Sequence, residues 1–331
     1  MNQVNDNLPS PAQLVAHMRE LATLPDIYIR VKAVLDNPVS THEDMAAALS
    51  TDPALSARLL RVANSAFYGI PGRINNIPRA VGLLGTQQVH DLVLATAVIH
   101  AFDRISPDLF DPRLFWHSSL ATAAAAKLLA EHCNILDSER LFVAGLLSRI
   151  GNLILLEELP AQMRAIIAEV GDISNVALAA VQRDHLGFDY TVLSAELFRS
   201  WQLPHELVEP IRLHTQPASA GDFQLEAAIL HVAVNLADAM LQNQAVETVV
   251  PALEDEAWDI TGLSIETLEG IERQALDLTA ELTPALLYAA AESACTAKGS
   301  MGSDSIAPLS SLRSMGSPID SPNLRLCAEG A

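Results

Sequence analysis

Apolar residues recur along this chain at intervals of three and four, the spacing that lays them along one face of a helix. Leu55, Leu59, Val62 and Ala66 form one such stripe. No stretch sustains the two-residue alternation of a half-buried strand, and no Asn-Gly or Asp-Gly hairpin turn occurs. The prolines mark helix starts. In Ser10-Pro11, Asp52-Pro53, Ser106-Pro107, Asp111-Pro112 and Thr283-Pro284 an oxygen-bearing side chain precedes proline. That oxygen accepts from a free amide of the first turn, while proline at the first helical position has no amide to leave unpaired. Ser40 with Glu43 reads as a capping box before the apolar run 45–49.

These signals predict helices over 11–22, 26–36, 42–50, 53–67, 77–84 and 86–102. A second set is predicted over 113–132, 138–157, 160–170, 174–185, 190–200, 204–214, 222–242, 264–281 and 284–296. The fold class is therefore all-α. Apolar periodicity breaks over 101–112, where Pro107 and Pro112 stand, and this segment is taken as the joint between two lobes. The expected division is an N-terminal helical lobe over 1–103, a C-terminal helical lobe over 104–297 and a tail over 298–331. The tail holds eight Ser, four Gly and three Pro with no aromatic residue, and repeats Ser-Met-Gly-Ser at 300–303 and 314–317. Such a composition buries too little apolar area to offset the entropy of ordering it, so disorder is expected there.

Composition narrows the function. Half of the 331 residues are hydrophobic, enough for a sizeable core. Forty acidic against twenty basic side chains give a formal charge of −20, which repels nucleic acids and anionic membrane surfaces. Cys133, Cys295 and Cys327 are too scattered for a disulfide framework or a CxxC metal site. The first thirty residues show no basic segment leading into an apolar run, and the apolar window 141–156 is short and interrupted by Arg149 and Asn152. A soluble, cytoplasmic protein is expected.

The most distinctive local string runs Asp52-Pro53-Ala54-Leu55, Arg58-Leu59-Leu60 and Ala63-Asn64-Ser65-Ala66-Phe67-Tyr68-Gly69. Read alone, it is a packed helix whose last turns place Asn64 and Ser65 near freed carbonyls, with Gly69 suited to a left-handed cap. Together with Leu24-Pro25, Ile74-Asn75-Asn76-Ile77, Leu83-Leu84-Gly85, Phe115-Trp116, Ala144-Gly145-Leu146-Leu147, Ile150-Gly151, Leu186-Gly187-Phe188-Asp189 and Trp201-Gln202-Leu203-Pro204, it resembles the HDOD family. The resemblance spans about residues 14–290 and rests on the order of these strings. It implies a two-lobed helical fold whose second lobe is a degenerate relative of HD-type metal phosphohydrolases. It also implies a setting in bacterial signal transduction.

The related enzymes hold a divalent metal through His, an adjacent His-Asp pair and a distant Asp, and the ion activates a water for attack on phosphate. At the corresponding positions this chain has Ser118, Ser148, Arg149, Tyr190, His214 and Asp238, the vestigial metal-site positions. His117 lies one place early, about 100° around a helix axis. Arginine is a permanent cation with no lone pair to offer, so Arg149 opposes a metal. The expectation is a pseudoenzyme: no catalytic residue, no metal and no cofactor. Arg149 is expected either to pair with Asp238 or to receive a phosphate of a cyclic dinucleotide. A residual phosphohydrolase using His117, His214 and Asp238 is the alternative.

Two other histidines are set aside. His90-Asp91 reads as a polar patch near a helix start. His231 precedes Asp238 by seven residues, about 10.5 Å along a helix, too far for one ion. Partners are expected to be other signalling proteins, with Asn64, Ser65, Phe67, Tyr68 and Arg149 as candidate contact residues. Trp116 and Trp201 add to these if exposed, because aromatic side chains tend to anchor interfaces.

Overall fold

The computed structural model describes residues 8–18, 24–102, 110–171, 177–253 and 255–287. The tail over 298–331, most of the 101–112 joint and the end of the helix expected over 284–296 lie outside them. Among the described residues all regular structure is helical, with no strand. In chain order the helices are α1 (Pro11–His17), α2 (Asp26–Leu35), α3 (His42–Ser50), α4 (Pro53–Ala63), α5 (Ile77–Leu84) and α6 (Thr86–Ala101). Then follow α7 (Pro112–His132), α8 (Ser138–Leu147), α9 (Ile150–Glu158), α10 (Pro160–Val170), α11 (Leu178–Leu186) and α12 (Tyr190–Ser200). The last are α13 (His205–Leu213), α14 (Gln224–Leu241), α15 (Asp255–Thr261) and α16 (Ile265–Leu286).

Side-chain caps set many of the boundaries. Ser10, Asp52, Asn76, Asp111, Asp137, Asp189 and Ser264 each accept from a first-turn amide. The capping box of α3 is formed by Thr41 and Asp44, one residue beyond the Ser40 and Glu43 expected. A Ser/Thr-x-x-acid frame fits both registers, and only the backbone path chooses. Pro284 does not start a new helix, because α16 runs through it to Leu286. Proline there gives up the one bond its amide would make to the Ala280 carbonyl, and Leu282 and Leu286 stay buried by continuing the turn.

Helices α2 to α6 pack on one another. In the second group α7 is central, packed against α8, α14 and α16. The two groups meet where α6 lies on α8 and α4 on α16, and one apolar cluster runs through both. Helix α1, counted with the N-terminal lobe by chain order, docks on α9 and α12, and His17 Nδ1 lies 2.5 Å from Glu158. Helix α14 with its preceding turn, 221–241, is long and apolar enough to cross a membrane, yet 78% of its 18-residue apolar stretch is buried inside the protein.

The helix expected over 138–157 is two helices. It breaks at Ser148 and Arg149, between α8 and α9, with Arg149 at φ −99° and ψ 6°. Apolar residues keep helical spacing across the break, from Leu146 and Leu147 to Ile150, Leu153 and Ile154, so periodicity carries no sign of it. Two glycines beside the break let helices approach closely. A Cβ on Gly145 would lie 2.8 Å from Ala123 Cα on α7, and one on Gly151 would lie 1.9 Å from the Tyr190 carbonyl oxygen on α12. Ser194 closes the junction: its hydroxyl accepts from the Gly151 amide at 2.8 Å and lies 3.2 Å from the Ser148 carbonyl.

Candidate functional site

The break between α8 and α9 directs Arg149 toward α14. Its guanidinium donates to Asp238 Oδ1 at 2.5 Å and to the Val234 carbonyl at 3.2 Å. Arg149 is 5% exposed and Asp238 3%. Buried charges of this kind persist only when paired, because neither regains its hydration inside the protein. A fixed cation thus lies against the one carboxylate that the metal set retains.

A second pair lies beside the first. Tyr190, the first residue of α12, and His214, at the C-terminal cap of α13, have their hydroxyl oxygen and Nε2 3.0 Å apart. His214 Nδ1 lies 2.7 Å from the Ile211 carbonyl. A carbonyl can only accept, so Nδ1 carries the proton and Nε2 takes the Tyr190 hydroxyl hydrogen. Burial is the main cause that pulls the His214 pKa down to about 4, against a smaller opposing effect of the Ile211 carbonyl. Burial likewise drives the Tyr190 phenol above its usual range, with the Arg149 charge partly offsetting it. Both groups are neutral near pH 7. His231 Nδ1 donates to the His214 carbonyl at 2.8 Å, and burial lowers its pKa as well.

The residues present do not suit a metal. Tyr190 engages the lone pair of His214 that would face an ion, and Arg149 engages the carboxylate of Asp238. Ser148 donates to the Gly145 carbonyl at 2.9 Å, one turn back along its own helix. Ser118 is buried, and its hydroxyl has no hydrogen-bond partner among the described residues. His117 is half-buried on α7, its pKa lowered by burial. Among the described residues no three His, Cys, Asp or Glu side chains come together as a cation site, so His117, His214 and Asp238 do not converge.

Several candidate contact residues face inward. Phe67 is buried, edge-to-face on Phe142 of α8, with the Lys127 ammonium 4.8 Å from its ring centre. Lys127 is itself paired with Glu131. Tyr68 is half-buried against Phe67. Asn64 is spent on the backbone: its amide donates to the carbonyls of Leu60 and Ile74 and its oxygen accepts from the Ile74 amide. Ser65 donates to the Val62 carbonyl at 2.6 Å. Within that string Phe67 seats the N-terminal group of helices on α7 and α8, while Asn64 stays exposed and ties the end of α4 to the segment around Ile74. Helix α4 ends at Ala63, short of the expected residue 67, because the chain turns there to make this tie. Arg149, committed to Asp238, is likewise no surface residue. Trp116 is buried and Trp201 half-buried.

The His90-Asp91 pair is a buried tie between α2 and α6. His90 lies 3.0 Å from Asp91 Oδ1 through Nδ1 and 3.2 Å from the Tyr28 hydroxyl through Nε2. Sequence reasoning missed Ser194 and gave Gly151 a place in a family string but no packing role. The glycine itself was the signal for the latter, since it marks close backbone approach.

The chain shares its fold with several solved structures. A protein of Shewanella amazonensis SB2B, provisionally named a phosphohydrolase, is 28% identical with a TM-score of 0.64, over 81% of this chain and 97% of that one. An HDOD domain protein of unknown function from Geobacter sulfurreducens has a TM-score of 0.64 at 21% identity, covering 84% of this chain and 98% of its own. A Marinobacter aquaeolei VT8 protein, provisionally named a signal transduction protein, has a TM-score of 0.60 at 20% identity, covering 85% of this chain and 68% of its own. An uncharacterized protein of Treponema pallidum (strain Nichols) is 25% identical over 206 residues, which are 61% of this chain and 39% of that relative's length. The HDOD domain family model matches residues 21–217, more than half of the sequence. With this match, the ordered motifs and the helical fold, the chain belongs to the HDOD family.

Proposed function

We propose that this chain is a non-catalytic, cytoplasmic signalling protein that acts through contacts with other signalling proteins. One observation carries the reading: each surviving metal-type ligand is bonded to a residue that stands where another ligand would be. Asp238 is held by Arg149 at 2.5 Å and His214 by Tyr190 at 3.0 Å. A metal entering this site would have to displace a buried guanidinium whose charge opposes it. The replacements preserve packing and charge balance in the lobe that the enzymes use for catalysis. The lobe is then left with shape and surface to work with.

The test is metal analysis of purified protein combined with a phosphodiesterase assay in added manganese. Substoichiometric metal and no turnover above buffer are expected. Stoichiometric metal with turnover would return the protein to the phosphohydrolases.

A further inference from the structure

Residues 53–90 contain four arginines, Arg58, Arg61, Arg73 and Arg79, and neither Asp nor Glu, in a chain whose net charge is −20. Arg58 is buried, whereas Arg61, Arg73 and Arg79 are exposed. Most other basic residues of known placement are tied to carboxylates, as in Lys32–Asp36, Lys127–Glu131, Arg140–Glu226, Arg183–Asp189 and Arg212–Glu209. The three exposed arginines have no ion-pair partner among the described residues.

The fold gathers them. Arg61 lies in the last turn of α4, one turn before Asn64. Asn64 clasps the backbone of Ile74 at 2.7 Å in both directions, which brings Arg73 to the end of α4. Asn76 then caps α5 by accepting from the Arg79 amide at 2.8 Å. One turn further, Leu83 is 50% exposed on the same face of α5. Glu281 of α16, the helix packed on α4, is engaged with the Ala66 amide at 2.7 Å.

We propose that the end of α4, the 69–76 loop and the outer face of α5 form a docking surface for an acidic protein segment that also carries an apolar side chain. Charge complementarity names the occupant. Guanidinium groups pair with carboxylates in a fork geometry, and Leu83 supplies apolar area beside them. At physiological salt the distant acidic groups are screened beyond about 8 Å, while a ligand in contact with the arginines is not. Net negative charge therefore does not prevent capture there. The inference deepens the contact reading of function and rests on it.

The probe is a fluorescein-labelled peptide of repeated Glu-Glu-Leu-Glu, titrated into the full chain at physiological salt and read by anisotropy. Saturable binding is expected, weakened about tenfold or more in the triple variant Arg61→Glu/Arg73→Glu/Arg79→Glu. The milder triple replacement by Gln is expected to weaken it too, with an unchanged circular dichroism melt. Arg164→Glu, an exposed charge on α10, is expected to leave binding unchanged. No peptide binding, equal binding by the triple variants, or tighter binding to phosphatidylglycerol vesicles than to the peptide would overturn the proposal. Any of these in a protein free of metal and turnover removes this surface and leaves the contact reading standing. Metal-dependent turnover removes the contact reading whatever the peptide does.

Discussion

Arg149 on the α8–α9 break donates to Asp238 on α14 across 2.5 Å, and both side chains are buried. Eighty-nine residues separate them in sequence. Removing one member of such a pair leaves an uncompensated charge in the interior. Arg149→Ala is expected to cost about 3–5 kcal/mol of unfolding free energy, whereas Arg149→Met combined with Asp238→Leu is expected to be close to neutral. Urea unfolding of both variants and of the two single replacements gives the coupling as a double-mutant cycle. Independent, additive effects would show that the pair is not a unit.

His214 links stability to pH. Its pKa falls from an ordinary 6.5 to about 4 on folding, chiefly through burial. Between these values the unfolded chain binds a proton that the native chain does not, so native stability falls as pH drops from 6.5 toward 4. Below that window the contribution is fully lost and the slope vanishes. The loss is about 3 kcal/mol across it. Denaturant unfolding between pH 7 and pH 4 measures it. His214→Gln, which cannot titrate, is expected to flatten the profile, with His231 and His117 contributing the remaining slope in the same direction.

Tyr190→Phe keeps the ring and removes the hydroxyl that serves His214. The Nε2 lone pair is then buried without a donor, at a cost of about 1–3 kcal/mol. The stability of this variant is expected to be less than that of the native chain by that amount, measured by thermal and denaturant unfolding together. The histidine pKa, followed by NMR of the ring protons, reports whether the phenol held it in place.

Two glycine replacements should move in opposite directions. A Cβ at Gly151 would lie 1.9 Å from the Tyr190 carbonyl oxygen, and the atoms it meets are all backbone of α12, with nothing flexible to yield. Gly151→Ala is expected to destabilise by about 1–3 kcal/mol or more. Gly270, inside α16, has nothing within 4 Å of its would-be Cβ, so Gly270→Ala is expected to stabilise by up to about 1 kcal/mol. Equal shifts in the two melting curves would contradict the close α9–α12 contact.

The helices were legible because caps and periodicity act within a few residues. Asp52 before Pro53, Asp111 before Pro112 and Asp189 before Tyr190 start helices in the structure as their side chains suggest. Helix α15 was missed, since seven residues rich in acidic groups show no apolar stripe. Phe67 was misjudged for a related reason. An aromatic ring looks the same in sequence whether it meets solvent or a helix from the other group.

At the site, residue types already said much. An arginine, a tyrosine and two serines where ligands belong state that this chain has lost donors, because coordination depends on which atoms carry lone pairs and charge. The sequence by itself determined the helical class, the family and the identity of those replacements. Only the tertiary structure decided what the replacements do. It broke the helix expected over 138–157 at Ser148, brought Arg149 to Asp238 and Tyr190 to His214, and turned Phe67 inward while leaving Arg61, Arg73 and Arg79 in solvent. Charge and hydrogen-bonding capacity belong to the residue, but pairing depends on distance, and distance across dozens of residues exists only once the core has packed.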